Sequence, residues 1–82
     1  MEKVAVTVRI PALDGSYEFL VPESMSVGDA QNLMARILES EYGVSGNIVD
    51  LMLFDLSDGE VLRRECSFKQ LGISDGKKLL LA

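Results

Sequence analysis

The sequence has no histidine among its 82 residues, and that absence narrows its chemistry at once. Histidine is the side chain best suited to move protons near neutral pH and the commonest metal ligand, so Ser-His and Cys-His nucleophile pairs are excluded. Cysteine occurs once, as Cys66. A single cysteine excludes a disulfide within the chain and cannot alone build a zinc or iron–sulfur site. A secreted domain of this size usually carries several bridges, so a reducing compartment is expected. No apolar run approaches the roughly twenty residues that span a bilayer. The opening "MEKVAVTVRI" alternates where an export segment would run continuously apolar. The expected protein is soluble and cytoplasmic, with no direct membrane insertion.

Positive charge is also scarce. Eight Lys and Arg stand against thirteen Asp and Glu, a formal charge of −5, which argues against nucleic acid as a partner. Lys3, Arg9 and Arg36 lie in the first half, and Arg63, Arg64, Lys69, Lys77 and Lys78 in the second. The latter five could form a mild local patch, but the favoured reading is solvated positions on edges and loops. No glycine-rich dinucleotide fingerprint, P-loop or EF-hand loop occurs. Catalytic, cofactor-binding and metal-binding residues are therefore expected to be absent, and the protein is expected not to be an enzyme.

What is present is the patterning of a small folded domain, 48% hydrophobic and 26% charged with no low-complexity stretch. Its length allows one domain, spanning residues 1–82. In "KVAVTVRI", Val4, Val6, Val8 and Ile10 alternate with Lys3, Thr7 and Arg9, which predicts a half-buried strand. Asp14-Gly15 supplies a turn with positive φ, and "YEFLVP" resumes the period of two through Tyr17, Phe19 and Val21 until Pro22 ends it. The period then changes. Ser26 is placed to cap a helix, with Asp29 at the reciprocal position of a weak capping box. Val27, Ala30, Met34, Ile37 and Leu38 recur at helical spacing, with Leu33 flanking, and Gly43 is placed to end the helix.

A third strand is predicted in "IVDLMLFDL", apolar on both faces. Either Val49, Leu51 and Leu53 point inward, or Ile48, Met52 and Phe54 do, and whichever set loses is an exposed apolar row. "SDG" at Ser57–Gly59 turns the chain into a short strand through Val61 and Leu62. "ECSFKQLGI" predicts a tight helical turn capped by Ser67, with Phe68, Leu71 and Ile73 inward. A second "SDG" at Ser74–Gly76 leads into the final strand "KKLLLA". The Asp-Gly pairs at Asp14, Asp58 and Asp75 are read as turn chemistry rather than as catalytic carboxylates. Glu39 and Glu41 are read as a solvated surface. Cys66 beside Arg64 and Lys69 is either a stabilised thiolate or, the favoured reading, a half-buried structural cysteine.

A hairpin, a crossover helix and further strands give the order β-β-α-β-β, in which the last strand lies parallel to the first. The expected class is α+β, a mixed sheet packed on one helix with a short helical turn before the last strand, which is a β-grasp.

Over its whole length the sequence resembles the ubiquitin-like β-grasp superfamily. "VPESMSVGDAQNLM" resembles ubiquitin's second strand, capped helix start and helix, and "CSFKQLGISDGKKLLL" resembles its final turn-and-strand segment. Within that superfamily it is most similar to the small YukD-like (EsaB-like) proteins encoded with type VII (ESX-type) secretion systems of Gram-positive bacteria. The shared features are the Val-Pro strand end, "E-C-x-Φ" (Φ, apolar) at Glu65–Phe68 and "L-G-I-x-D-G-x-x-L" at Leu71–Leu79. The resemblance implies a non-catalytic accessory or adaptor that docks by protein–protein contact on a membrane component of the secretion machinery, as a monomer or weak dimer. It carries over no site residues. The docking face expected from strand alternation comprises Arg9, Met52, Phe54, Lys78 and Leu80, with Thr7 at the rim and Ala82 beside Leu80. The alternative, a ubiquitin-like modifier or sulfur carrier of the ThiS and MoaD class, is disfavoured because no Gly-Gly follows the last strand.

Overall fold

Alternating valines begin the sheet. The computed structural model describes residues 2–43 and 50–82, and its first strand, β1, is Lys3–Ile10. Val4, Val6, Val8 and Ile10 are buried in alternation with more exposed neighbours. A 3-10 turn at Pro11–Leu13 leads to β2, Gly15–Pro22, which pairs antiparallel with β1 from Lys3↔Pro22 to Ile10↔Gly15. The positive φ that this turn requires, 52°, falls on Asp14, a residue whose short polar side chain tolerates the left-handed region.

Helix α1, Val27–Tyr42, starts and stops where its end residues direct. Ser26 Oγ accepts from Asp29 N–H at 3.2 Å, and Gly43, at φ 65°, returns its N–H to Glu39 O at 3.1 Å. Two further N–H groups of the first turn find carbonyls of a distant loop: Val27 N–H donates to Cys66 O at 2.8 Å and Gly28 N–H to Arg64 O at 3.0 Å. The buried stripe is Val27, Ala30, Gln31, Met34 and Leu38, while Ile37 and Leu33 are partly buried. Gln31 is polar yet fully buried within this stripe, a position the helical spacing did not single out. Its Nε2 donates to Leu51 O and its Oε1 accepts from Arg64 Nη1 at 3.4 Å, so the helix holds the chain on both sides of the third strand.

That third strand, β3, is Leu53–Asp55, shorter than the sequence pattern suggested. Ile48 and Val49 lie outside the described residues. Leu53 is buried and Leu51 partly so, whereas Met52 is 49% exposed and Phe54 half-buried. The choice left open by periodicity is thus resolved for the described part: Leu51 and Leu53 face the core.

The expected strand through Val61 and Leu62 is reduced to one bridge, Phe54↔Val61, flanked by Leu62 N–H to Leu53 O at 2.8 Å. Beyond Leu62 the backbone leaves the sheet because its carbonyls at Arg64 and Cys66 are engaged by the start of α1. The helical turn that follows is one turn long. Ser67 and Gln70 form a reciprocal capping box (Gln70 N–H to Ser67 Oγ 3.0 Å, Ser67 N–H to Gln70 Oε1 2.8 Å), and Leu71 N–H closes the turn on Ser67 O at 3.1 Å. Phe68 and Ile73 enter the core as expected.

The final strand, β4, is Lys77–Leu81, with Leu79 and Leu81 fully buried. It runs parallel to β1 and antiparallel to β3, giving the sheet order β2-β1-β4-β3. Asp75 begins this pairing before the strand does: its Oδ1 accepts Ala5 N–H at 2.9 Å, and Gly76 N–H donates to Ala5 O at 2.8 Å.

At the inward end of β3 lies a buried carboxylate, Asp55. Lys77 Nζ sits 2.7 Å from Asp55 Oδ2, and Ser57 donates its N–H and hydroxyl to Oδ1 at 2.8 and 2.6 Å. The Lys77 ammonium, then the Ser57 donors, hold the Asp55 carboxyl at about 2, below its ordinary 3.8. A carboxylate depressed on folding contributes stability above its unfolded value and loses it as pH falls through the folded one. Replacing Lys77 with Met should therefore destabilise the protein most at neutral pH. The difference from wild type should shrink between pH 3.8 and about 2, read from urea unfolding curves across that range. Gln31→Leu should lower stability by about 1–3 kcal/mol, because the Leu51 carbonyl loses a partly buried donor. The shift in urea midpoint measures it.

Candidate protein-docking face

The helix covers only one side of the sheet, so the residues that alternate with the core are presented on the other. Strand register arranges them in rows. One row runs Ser16, Arg9, Leu80, Phe54 and Val61 across β2, β1, β4, β3 and the bridged segment. The next runs Glu18, Thr7 and Lys78, with Leu56 alongside through Leu56 N–H to Lys78 O at 3.2 Å. On the other side of the first row, Met52 and Ala82 exchange both backbone hydrogen bonds at 2.9 Å.

These rows bring together all five residues expected on the face, Arg9, Met52, Phe54, Lys78 and Leu80. Phe54 and Leu80 are direct cross-strand partners and half-buried, and Met52 stands out from the surface beside them. Arg9 and Lys78 are exposed at the side toward β1, and among the described residues neither forms an ion pair. Thr7, Arg9, Ser16, Leu56 and Lys78 line a depression of about 280 Å³ between the two rows.

Sequence reading missed two members of the apolar strip. Leu56 is 43% exposed and Val61 42% exposed, both large side chains of the same face. Leu56 follows Phe54 at the strand period and was within reach of that argument. Val61 was assigned to a strand but not to a face, because its side is set by the bridge to Phe54. Leu20, 59% exposed on β2 beside Ala5, stands apart from the strip at the far edge of the sheet.

Among the described residues no group of three or more His, Cys, Asp or Glu is placed to hold a metal ion. Cys66 is half-buried, and its carbonyl receives Val27 N–H at the start of α1. No described helix is long and apolar enough to cross a membrane.

Neither a protein-family model nor a curated protein sequence matches the chain. Solved structures do. Ubiquitin of Caldiarchaeum subterraneum is 19% identical with a TM-score of 0.70, over 98% of this chain and 91% of that one. The EccD5 ubiquitin-like domain from Mycobacterium xenopi is 18% identical with a TM-score of 0.76, over all of this chain and 94% of that one. A chain of an ESX-5 inner membrane complex is 20% identical with a TM-score of 0.74, over all of this chain and 21% of its own length. Identities this low bear on fold alone, and here the fold agrees with the strand order, the crossover helix and the parallel β1–β4 pair. The chain has the ubiquitin-like β-grasp fold, α+β, with a mixed four-stranded sheet and one helix.

Proposed function

We propose that this chain is a non-catalytic accessory module of the YukD-like (EsaB-like) kind, acting in a bacterial type VII secretion system. It works in the cytoplasm, docking through the uncovered face of its sheet on a membrane component of the machinery. The observation that carries this reading is the apolar row Val61, Phe54 and Leu80, continued by Met52 and Leu56. An apolar centre with a polar, charged rim is the anatomy of a protein-docking surface, and a contiguous strip signifies more than isolated exposed side chains. Similarity to the EccD5 ubiquitin-like domain, and to a chain of an ESX-5 inner membrane complex, supports the choice of system.

Leu80 is the member of the row on the central strand β4, and its outward direction makes a charge there tolerable for folding. Leu80→Asp should leave the far-ultraviolet spectrum and amide dispersion intact while abolishing capture of secretion-membrane subunits from the native host. A folded Leu80→Asp protein that still captures them would remove this face from the docking role.

A further inference from the structure

The charges at outward strand positions beside the strip bear on the chemistry of its partner, the exposed acids Asp50, Asp58 and Glu60 lying in the segments at its β3 end. The chain is acidic overall, at −5, yet the outward positions of its four strands carry three cations, Lys3, Arg9 and Lys78, and one anion, Glu18. The two cations nearest the strip are unequal to Lys3 in position. Arg9 pairs in register with Leu80, and Lys78 precedes Leu80 by two residues on the same face of β4. Neither forms an ion pair among the described residues, although Asp14 shares the lining of a depression with Arg9. By contrast the two inward or lateral lysines that flank other elements are engaged, Lys77 with Asp55 and Lys69 with Glu23. Glu18 lies at the β2 end of its row, two strands from Lys78, about 10 Å at ordinary strand spacing. That separation is close to the screening length in physiological salt, so Glu18 offsets Lys78 only weakly; it stands diagonally across the β1–β2 pair from Arg9, about 7–8 Å away, and offsets that charge in part.

Resting on the docking reading above, we propose that the occupant is an apolar protein segment flanked by carboxylates, seated with its apolar side chains over β4, β3 and Val61 and its carboxylates over Arg9 and Lys78. Rim charges of this kind steer association and reject partners of like charge. An anionic membrane surface fits less well, because three cations on one face give little attraction to lipid while the remainder of the molecule is repelled.

The full chain can be titrated, with ¹⁵N amide shifts as readout, against two amphipathic peptides of identical apolar face. One carries flanking glutamates and the other flanking lysines. Phosphatidylserine vesicles form a third arm. The glutamate peptide should shift the amides of Arg9, Phe54, Lys78 and Leu80, and bind about tenfold more tightly than the lysine peptide. The double variant Arg9→Glu, Lys78→Glu, whose changes are both at exposed positions, should reverse that preference. Equal binding of the two peptides, a preference unmoved by the double variant, or binding of vesicles in place of peptide would each overturn the acidic partner. If Leu80→Asp still abolishes peptide binding in that case, the docking face stands and only its partner chemistry is wrong. If Leu80→Asp leaves binding intact, the docking face itself fails.

Discussion

The parallel pairing of β1 with β4 is the contact on which the rest of the structure depends. Both are central strands in the order β2-β1-β4-β3, so each of the other two strands is attached to one of them. The hairpin partner β2 hangs on β1 and β3 on β4. Parallel pairs are slightly weaker per residue than antiparallel ones and need a long connection. Here the pair is reinforced at its start, where the Asp75 carboxylate and Gly76 N–H engage both backbone groups of Ala5 ahead of the first strand residue. Inward of that seam, Val6, Val8, Leu79 and Leu81 are all fully buried. Outward of it stand Arg9, Lys78 and Leu80. One register therefore sets the core and the composition of the candidate docking face together.

The helix is fastened to the sheet by more than apolar packing. Its first turn takes carbonyls from Arg64 and Cys66, and Gln31 reaches the backbone at Leu51 and the side chain of Arg64. The connection between β3 and β4 thereby becomes part of the helix cap. The same attachment explains why the backbone after Leu62 abandons the sheet after a single bridge: its hydrogen-bonding groups are required at the helix.

How much of this could be read from sequence follows from which residues carry unambiguous information. β1, β2 and β4 were legible because polar and apolar residues alternate cleanly, and α1 because Ser26 and Gly43 mark its ends. β3 was not, since both of its faces are apolar and one inward position holds Asp55. An acid on the core side makes sense only beside Lys77, which comes from another strand. Gln31 escaped notice for the same reason: its partners at Leu51 and Arg64 are distant in sequence. On the face, Arg9, Lys78 and Leu80 followed directly once β1 and β4 were paired. Val61 did not, because its side is decided by a loop returning against Phe54.

The seam between β1 and β4 also orders events during synthesis. Ala5 and Asp75 are 70 positions apart, so the first strand emerges from the ribosome long before its central neighbour exists. Until residues 77–81 are available, the hairpin of β1 and β2 has an unpaired inner edge lined by valines that are destined for the core. Closing so long a loop adds entropy only slowly with length, but it delays the pairing that shields this edge. Until β4 arrives, the inner edge of β1 is open to pairing with another strand, and the β1–β4 pairing closes it.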